Sequence, residues 1–314
     1  MGLEETKPSL VFFGNERLAT GVQTTAPALQ ALIRDGYDIK AVVSNYEPGT
    51  SRSSRQLEIQ AVADESGIPV LLPNKPVDIL EDLRNLGAEA AVLVAYGRIV
   101  PQSVIDLFPS GIINIHPSLL PLHRGPTPIE SVLLSGEPKT GVSVMCLTAE
   151  MDAGPVFGQS ELILNGSETK QELADKLIDI GGAILIELLP GILNGNIIAK
   201  PQDNSLATYD KLINKKDGEI DWTKPAQRLE REIRAYVGWP KSFVVLAGKE
   251  LIITRAHAIA SEEAMLKPGG AKVTEDRQLL VQAGSGSLII DRLKPSGKNE
   301  MTASDFLAGY GKHL

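Results

Sequence analysis

The sequence predicts an α/β domain built on a parallel sheet, followed by a small β-barrel domain. In the first two-thirds of the chain, short apolar runs alternate with amphipathic stretches, which is the pattern of β-α-β units. Those runs are nearly continuous in Val, Ile and Leu, as expected of strands that are covered on both faces. Beyond residue 207 the rhythm changes to short strands separated by turns that contain glycine. The predicted fold is therefore Rossmann-like, with an OB-like barrel after it.

The elements of the first domain follow from their periodicity. Strands are predicted at the apolar runs 10–13, 39–43, 70–72, 90–95, 112–115, 142–147 and 156–164. Helices are predicted where apolar residues recur at three- and four-residue spacing, at 18–34, 54–66, 77–86 and 169–189. Residues 190–204 are rich in Pro, Gly and Asn, which is typical of a linker. We therefore expect a first domain at 1–189, a linker at 190–207 and a second domain at 208–314.

The second domain is predicted to begin with a helix and to continue as a barrel. The helix covers residues 226–236, and strands are expected at 243–246, 251–256, 279–282 and 288–292. Several short strands at such spacing favour a barrel over a parallel sheet.

The composition indicates a globular, cytoplasmic protein. The chain has 314 residues, 43% of them hydrophobic and 22% charged. No apolar run approaches the roughly 18 residues of a membrane helix, and the first residues lack the apolar core of a secretory signal. One cysteine and four histidines show no metal-ligand spacing, so we expect no metal. The net charge is −8, yet the tail beyond 207 carries a slight basic excess, which suits either a polyanion or an ordinary solvated surface.

Residues 111–125, GIINIHPSLLPLHRG, carry the main candidate for chemistry. Asn114 and His116 end a predicted strand and point to the same side, because side chains alternate along a strand. Ligands bind at the carboxyl edge of an open parallel sheet, so both side chains are expected in that crevice. Asp152 follows in an acidic loop, EMDAG. An amide, an imidazole and a carboxylate suit acyl transfer through an oxyanion, although such residues also serve as turns and caps.

The strings NIHPSLLP and RG, followed by an acidic loop that ends in DAG, resemble the 10-formyltetrahydrofolate-dependent formyltransferases. This resemblance implies that Asn114 and His116 stabilise the oxyanion, and that Asp152 orients a water or a proton. It also implies that the folate cosubstrate contacts a segment after the first motif and a loop before it: Ser118, Leu119, Leu120 and Pro121, together with Tyr96 and Gly97. His123 and Arg124 are compatible with the acidic tail of the folate, with the second substrate, or with a solvated loop.

The tail carries the series TY-x-x-KL, IDW, IRA and WP, which resembles the methionyl-tRNA formyltransferases. The resemblance implies a monomer that formylates initiator methionyl-tRNA for translation initiation and binds the tRNA through its second domain. A formyltransferase for a nucleotide-linked amino sugar is the alternative enzyme. A folate- or RNA-binding protein without catalysis is the third possibility, but it would have no need of Asn114, His116 and Asp152 together.

Two segments depart from the pattern of the tRNA enzymes. Those enzymes usually carry Gly-Thr-Pro after the first strand, where this chain has Gly14 followed by Asn, Glu and Arg. They also carry a longer basic loop after the second strand, where this chain has only Arg52 and Arg55. Those two arginines are candidates for contacts to tRNA phosphates, and equally for plain solvated charges.

Overall fold

The computed structural model describes residues 7–45, 57–246, 248–260 and 266–310. The chain divides into two compact units. The first comprises Met1–Ile129, Lys139–Ile163 and Glu172–Lys211, and the second comprises Glu130–Pro138, Leu164–Gln171 and Leu212–Leu314. The domain limits expected from the sequence stay predictions.

A seven-stranded sheet forms the centre of the first unit. Its strands are β1 (Ser9–Gly14), β2 (Asp38–Val43), β3 (Val70–Leu71), β4 (Ala90–Val94), β5 (Ile112–His116), β6 (Lys139–Cys146) and β7 (Val156–Ile163). They lie in the order β3-β2-β1-β4-β5-β6-β7. The first five are parallel, whereas β6 is antiparallel to β5 and β7 is antiparallel to β6. The sheet is therefore mixed and not purely parallel. The sequence did not reveal the antiparallel strands, because an apolar run indicates a buried strand but not its direction.

The helices of this part of the chain are α1 (Pro27–Arg34), α2 (Glu58–Glu65), α3 (Leu80–Leu86), α4 (Gln102–Ile105), α5 (Pro128–Ser135) and α6 (Lys170–Leu193). The 3-10 turns are Pro76–Ile79, Asn204–Leu206 and Lys215–Gly218. Several limits differ from the sequence prediction, and α4 and α5 were not predicted. Two of the differences are large. α1 begins at Pro27 and not at residue 18, and α6 continues through Pro190 into the segment predicted as linker.

Glu16 determines where α1 starts. Its carboxylate accepts hydrogen bonds from the backbone N–H groups of Ala28 and Leu29, each at 2.8 Å. It thereby satisfies two of the backbone donors that every helix leaves open at its N-terminus. Ala26 lies just before the helix at a φ of 55°, which ends any helical continuation toward residue 18. Glu16 is fully buried, and this burial raises its pKa to about 7 despite the two donated hydrogen bonds.

Gly14 ends β1 where two backbones approach closely. It has a φ of 136°, and a Cβ at this position would lie 1.8 Å from the carbonyl oxygen of Val94 on β4. Only glycine fits both the backbone angle and the space. The same carbonyl accepts the backbone N–H of Glu16 at 3.3 Å, so the chain turns tightly over the end of β4.

The second unit contains a six-stranded antiparallel sheet. Its strands are β8 (Ser242–Leu246), β9 (Lys249–Ile259), β10 (Ala271–Val273), β11 (Leu279–Gln282), β12 (Ser287–Pro295) and β13 (Met301–Thr302). The order is β10-β11-β12-β9-β8, with β13 paired to β12, and the sheet curls as a half-barrel. The helices α7 (Ala226–Ala235) and α8 (Ala303–Tyr310) cover its apolar core. These observations confirm the predicted fold class.

A buried ion pair lies inside the second unit. Lys170 is fully buried, its Nζ donates to the carbonyl oxygen of Trp239 at 2.6 Å, and it lies 3.4 Å from the Glu130 carboxylate. Burial lowers the pKa of Lys170, while the carboxylate of Glu130 opposes that effect. Within the described part of the chain, no helix is both long and apolar enough to cross a membrane.

Candidate active site

Strand β5 presents the two polar side chains at the centre of the site. Asn114 and His116 are each 5% exposed, although the strand is otherwise apolar. Asn114 lies between Leu93 of β4 and Met145 of β6, at the place where the sheet changes from parallel to antiparallel. Its amide has no hydrogen-bond partner among the residues that the structure describes. A buried amide without such a partner can bond to a ligand.

Both ring nitrogens of His116 face protein atoms. Nε2 lies 2.9 Å from the carbonyl oxygen of His123, and Nδ1 lies 3.6 Å from Oδ1 of Asp152. A carbonyl only accepts hydrogen bonds, so Nε2 carries a proton. The ring therefore has a carbonyl oxygen on its Nε2 side and the Asp152 carboxylate on its Nδ1 side.

Asp152 is fixed by the chain segments around it. Its Oδ2 accepts the backbone N–H of Gly125 at 2.8 Å, which leaves Oδ1 toward His116. Its own φ is 47°, in the left-handed region. Gly154, two residues later, passes so close to β6 that a Cβ there would lie 1.9 Å from the carbonyl oxygen of Cys146. The loop thus follows one defined path, and that path brings Asp152 to His116.

The segment predicted to contact folate is held by hydrogen bonds to neighbouring strands. Ser118 donates from Oγ to the carbonyl oxygen of Leu122 at 2.6 Å and accepts at its own carbonyl from Ser143 Oγ at 2.6 Å. The backbone N–H of Leu120 donates to the same Ser143 hydroxyl at 3.0 Å. Gln159 on β7 donates to the carbonyl oxygen of Leu120 at 2.8 Å.

The two leucines of that segment pack inward. Leu119 is half-buried over Gly141 of β6, where a Cβ would lie 2.6 Å from a methyl group of the leucine. Leu120 is 5% exposed, and the peptide bond between it and Pro121 is cis. These hydrogen bonds and packing contacts hold the backbone of residues 118–121 against β6 and β7. The role of the segment in folate binding stays a prediction.

The loop after β4 contains Tyr96 and Gly97. The Tyr96 ring packs edge-to-face on Phe13, with the ring centroids 5.5 Å apart, and is almost fully buried. Its hydroxyl has no hydrogen-bond partner among the described residues, and burial raises its pKa. Asn45 donates to the backbone carbonyl of Tyr96, and Gly97 turns the chain at a φ of 73°. This loop lies at the carboxyl edge of the parallel strands, as the sequence predicted.

A second His–Asp pair adjoins the first. His123, whose carbonyl binds His116, has its own Nδ1 3.1 Å from Oδ1 of Asp210. Its backbone N–H donates to the hydroxyl of Thr208 at 2.8 Å. The TY-x-x-KL series therefore begins in the first unit, against the residues that follow β5.

Arg124 and Gln202 are hydrogen-bonded to each other beside these two His–Asp pairs. Arg124 is 1% exposed, and its guanidinium donates only to neutral oxygens among the described residues, on Gln202, Asn204 and Tyr209. Sequence reasoning left Arg124 open and placed Gln202 in a linker. No periodicity or motif marks Gln202, because its hydrogen-bond partners are 48 to 78 residues away in the chain.

Two further expectations concern tRNA and metals. Arg52 and Arg55 lie outside the described residues, so their contacts stay a prediction. Across residues 7–45, 57–246, 248–260 and 266–310, no three His, Cys, Asp or Glu side chains gather in a group that would hold a metal ion.

Comparison with known proteins identifies the family. The formyl transferase family matches residues 21–189, and the formyl transferase C-terminal domain matches residues 212–311. A methionyl-tRNA formyltransferase from Chloroflexus aggregans is 38% identical over 287 residues, covering 90% of this chain and 93% of the relative. The one from Myxococcus xanthus is 35% identical over 309 residues, covering 97% and 96%.

Solved structures share the fold at low sequence identity. HypX from Aquifex aeolicus in complex with tetrahydrofolic acid is 16% identical with a TM-score of 0.66, covering 97% of this chain and 48% of that one. An N-formyltransferase from Helicobacter canadensis is 18% identical with a TM-score of 0.64, covering 90% and 99%. At these identities the likeness extends to the fold alone. Because the family match spans more than half of the chain and the curated relatives align along nearly all of it, this chain belongs to the methionyl-tRNA formyltransferases of the formyl transferase family.

Proposed function

We propose that this chain transfers the formyl group of 10-formyltetrahydrofolate to the α-amine of initiator methionyl-tRNA, which yields formylmethionyl-tRNA for translation initiation. The observation that supports this most is the pairing of His116 with Asp152, at 3.6 Å, beside an unpartnered Asn114 on the same strand. It occurs in a chain related to methionyl-tRNA formyltransferases over nearly its whole length.

The reaction proceeds by direct attack of the amine on the formyl carbon. The N–C bond that forms pushes the carbonyl electrons onto the formyl oxygen and creates a tetrahedral oxyanion. Asn114 offers amide N–H groups to this oxygen, and His116, when its ring is protonated, adds positive charge in a buried environment where charge interactions are strong. Collapse of the intermediate breaks the bond to N10 and releases tetrahydrofolate.

Proton movement falls to the His116–Asp152 pair. The attacking amine is neutral, so it carries a surplus proton once the new bond has formed, and the departing N10 needs one. Asp152 Oδ1, which is not engaged by Gly125, is the basic atom available to take that proton, directly or through water, and to return it to N10.

The residues present fit a folate-type donor at the carboxyl edge of the sheet. Tyr96 has a buried hydroxyl without a described partner, and Asn114 has an amide without one. Both are positioned to receive hydrogen bonds from, or donate them to, a polar heterocycle and its formyl group. One related fold was solved with tetrahydrofolic acid bound, which agrees with this class of ligand. Ser118 to Pro121, Tyr96 and Gly97 are the proposed folate contacts.

The amino-sugar alternative has weaker support. The N-formyltransferase from Helicobacter canadensis was solved with dTDP-3-aminofucose, but at 18% identity it shares only the fold with this chain. Curated relatives at 33% to 38% identity carry the name methionyl-tRNA formyltransferase.

The test is formyl transfer from 10-formyltetrahydrofolate to charged initiator tRNA and, in parallel, to a nucleotide-linked amino sugar. His116→Ala should lower turnover with the tRNA by about two to three orders of magnitude, because it removes an oxyanion-stabilising group. His257→Ala is the matched control, since His257 forms an exposed pair with Asp291 in the second unit. Transfer only to the sugar would overturn the tRNA assignment. Transfer to neither would favour a binding protein without catalysis.

A further inference from the structure

The side chain of Gln202 connects the Asp152 loop to the buried Arg124. Its Nε2 donates to the carbonyl oxygen of Asp152 at 2.8 Å and to that of Gly154 at 2.6 Å. Its Oε1 accepts from Nε and Nη2 of Arg124, at 3.1 and 2.8 Å. One amide thus uses both donors and its acceptor on three residues of the site.

The orientation of this amide is fixed by its partners. The two carbonyl oxygens can only accept hydrogen bonds, and a guanidinium can only donate them. An amide turned the other way would place its NH2 group against Arg124 and its oxygen against two carbonyl oxygens. All four hydrogen bonds would then be lost.

The charge of Arg124 strengthens the hydrogen bonds that the Gln202 amide donates to the loop. Its guanidinium is buried and donates to the neutral oxygens of Gln202, Asn204 and Tyr209. A cation at the oxygen end of an amide polarises it and makes its N–H groups better donors. Those N–H groups bind the backbone on both sides of Ala153, next to the carboxylate that faces His116.

We infer that Gln202 is a positioning residue for formyl transfer, which holds Asp152 in register with His116 through the backbone of the 152–154 loop. The inference rests on the proposed function. Gly125 fixes one oxygen of the Asp152 side chain, and Gln202 fixes the main chain that carries it. A displacement of about 1 Å in such a group can lower a rate about a hundredfold.

Gln202→Glu tests this with little change in size. The glutamate keeps oxygen atoms for Arg124, and it adds a charge that compensates the buried guanidinium. It cannot donate to the carbonyl oxygens of Asp152 and Gly154, so the loop loses both hydrogen bonds and meets a repelling carboxylate instead. The matched control is Gln282→Glu, since Gln282 also donates to two backbone carbonyls, those of Ala283 and Gly286 in the second unit.

The kinetic result expected for Gln202→Glu is a fall in kcat of about ten- to a hundredfold, with KM for both substrates changed less than about threefold. In an Asp152→Ala background the same substitution should have almost no further effect, because the group that Gln202 positions is already gone. Gln282→Glu should leave kcat and KM close to wild type. A rate loss of equal size in both backgrounds would show a merely structural role, and a wild-type kcat in Gln202→Glu would overturn the inference.

Hydrogen–deuterium exchange of the backbone provides a readout that does not depend on activity. Peptides covering residues 148–156 should exchange at least about tenfold faster in Gln202→Glu than in wild type. In Gln282→Glu the exchange rate of the same peptides should equal that of wild type. Unchanged exchange in Gln202→Glu would refute the inference even if the wild type formylates tRNA. If exchange is faster but the wild type transfers no formyl group, the contact between Gln202 and the 152–154 loop is supported and the proposed function is refuted.

Discussion

The buried Glu16 makes stability depend on pH in a direction opposite to that of most carboxylates. Its ordinary pKa of 4.5 is raised to about 7 because burial disfavours the charged form. The folded state therefore binds the proton more tightly than the unfolded chain does. The stability that this group contributes is complete below about pH 4.5 and is lost as the pH rises through about 7. The difference corresponds to about 3 kcal/mol in total, and most of it falls between pH 5 and pH 8.

The measurement is the free energy of unfolding in urea at pH 5 and at pH 8, for wild type and Glu16→Gln. The glutamine does not titrate, so the loss of stability from pH 5 to pH 8 should be smaller in the variant by about 2 to 3 kcal/mol. Glu81→Gln, at an exposed position of α3, reports the general effect of removing one carboxylate. If wild type and Glu16→Gln lose the same free energy over this range, Glu16 is ionised in the folded protein throughout and the reasoning fails.

The remaining predictions concern two glycines and the basic loop. Gly14→Ala should lower the free energy of unfolding by about 3 kcal/mol or more, measured in urea, because its Cβ would overlap the Val94 carbonyl at a left-handed φ. Gly182→Ala, within α6 and with only ordinary contacts around its Cβ, should be neutral or stabilise by up to about 1 kcal/mol; a large loss there would refute the packing argument. Replacing Arg52 and Arg55 by alanine should weaken tRNA binding and flatten its salt dependence by about one slope unit per lost phosphate contact, and an unchanged slope would mean that the tRNA lies elsewhere.

Strand positions were predictable from the sequence because burial on both faces leaves long apolar runs. All seven strands of the first sheet were expected near their observed places. The direction of β6 and β7 was not, since an apolar run has no polarity. The late start of α1 was also missed, because it depends on Glu16 reaching Ala28 across the turn after β1. A short helix such as α4 has too few residues to show the three- and four-residue spacing of apolar side chains.

In the candidate site, too, some residues could be predicted from the sequence and others could not. Asn114 and His116 were expected on one face because strand periodicity relates residues two apart, and the acidic loop suggested Asp152. Gln202 could not be expected, since its role arises from hydrogen bonds to a loop far away in sequence. The segment that contains it is rich in Pro, Gly and Asn, and that composition is typical of linkers whether or not their side chains do anything.

The composition of the second unit limits how this chain can be divided or recombined. The unit draws on Glu130–Pro138 and Leu164–Gln171 as well as on the last hundred residues. A fragment that starts at Leu212 would lack Lys170, and the carbonyl of Trp239 would lose the ammonium that donates to it. The segment from Leu212 to the end of the chain is therefore not a complete folding unit by itself. An exchange with a homologue would have to carry three stretches of sequence at once to keep this interior intact.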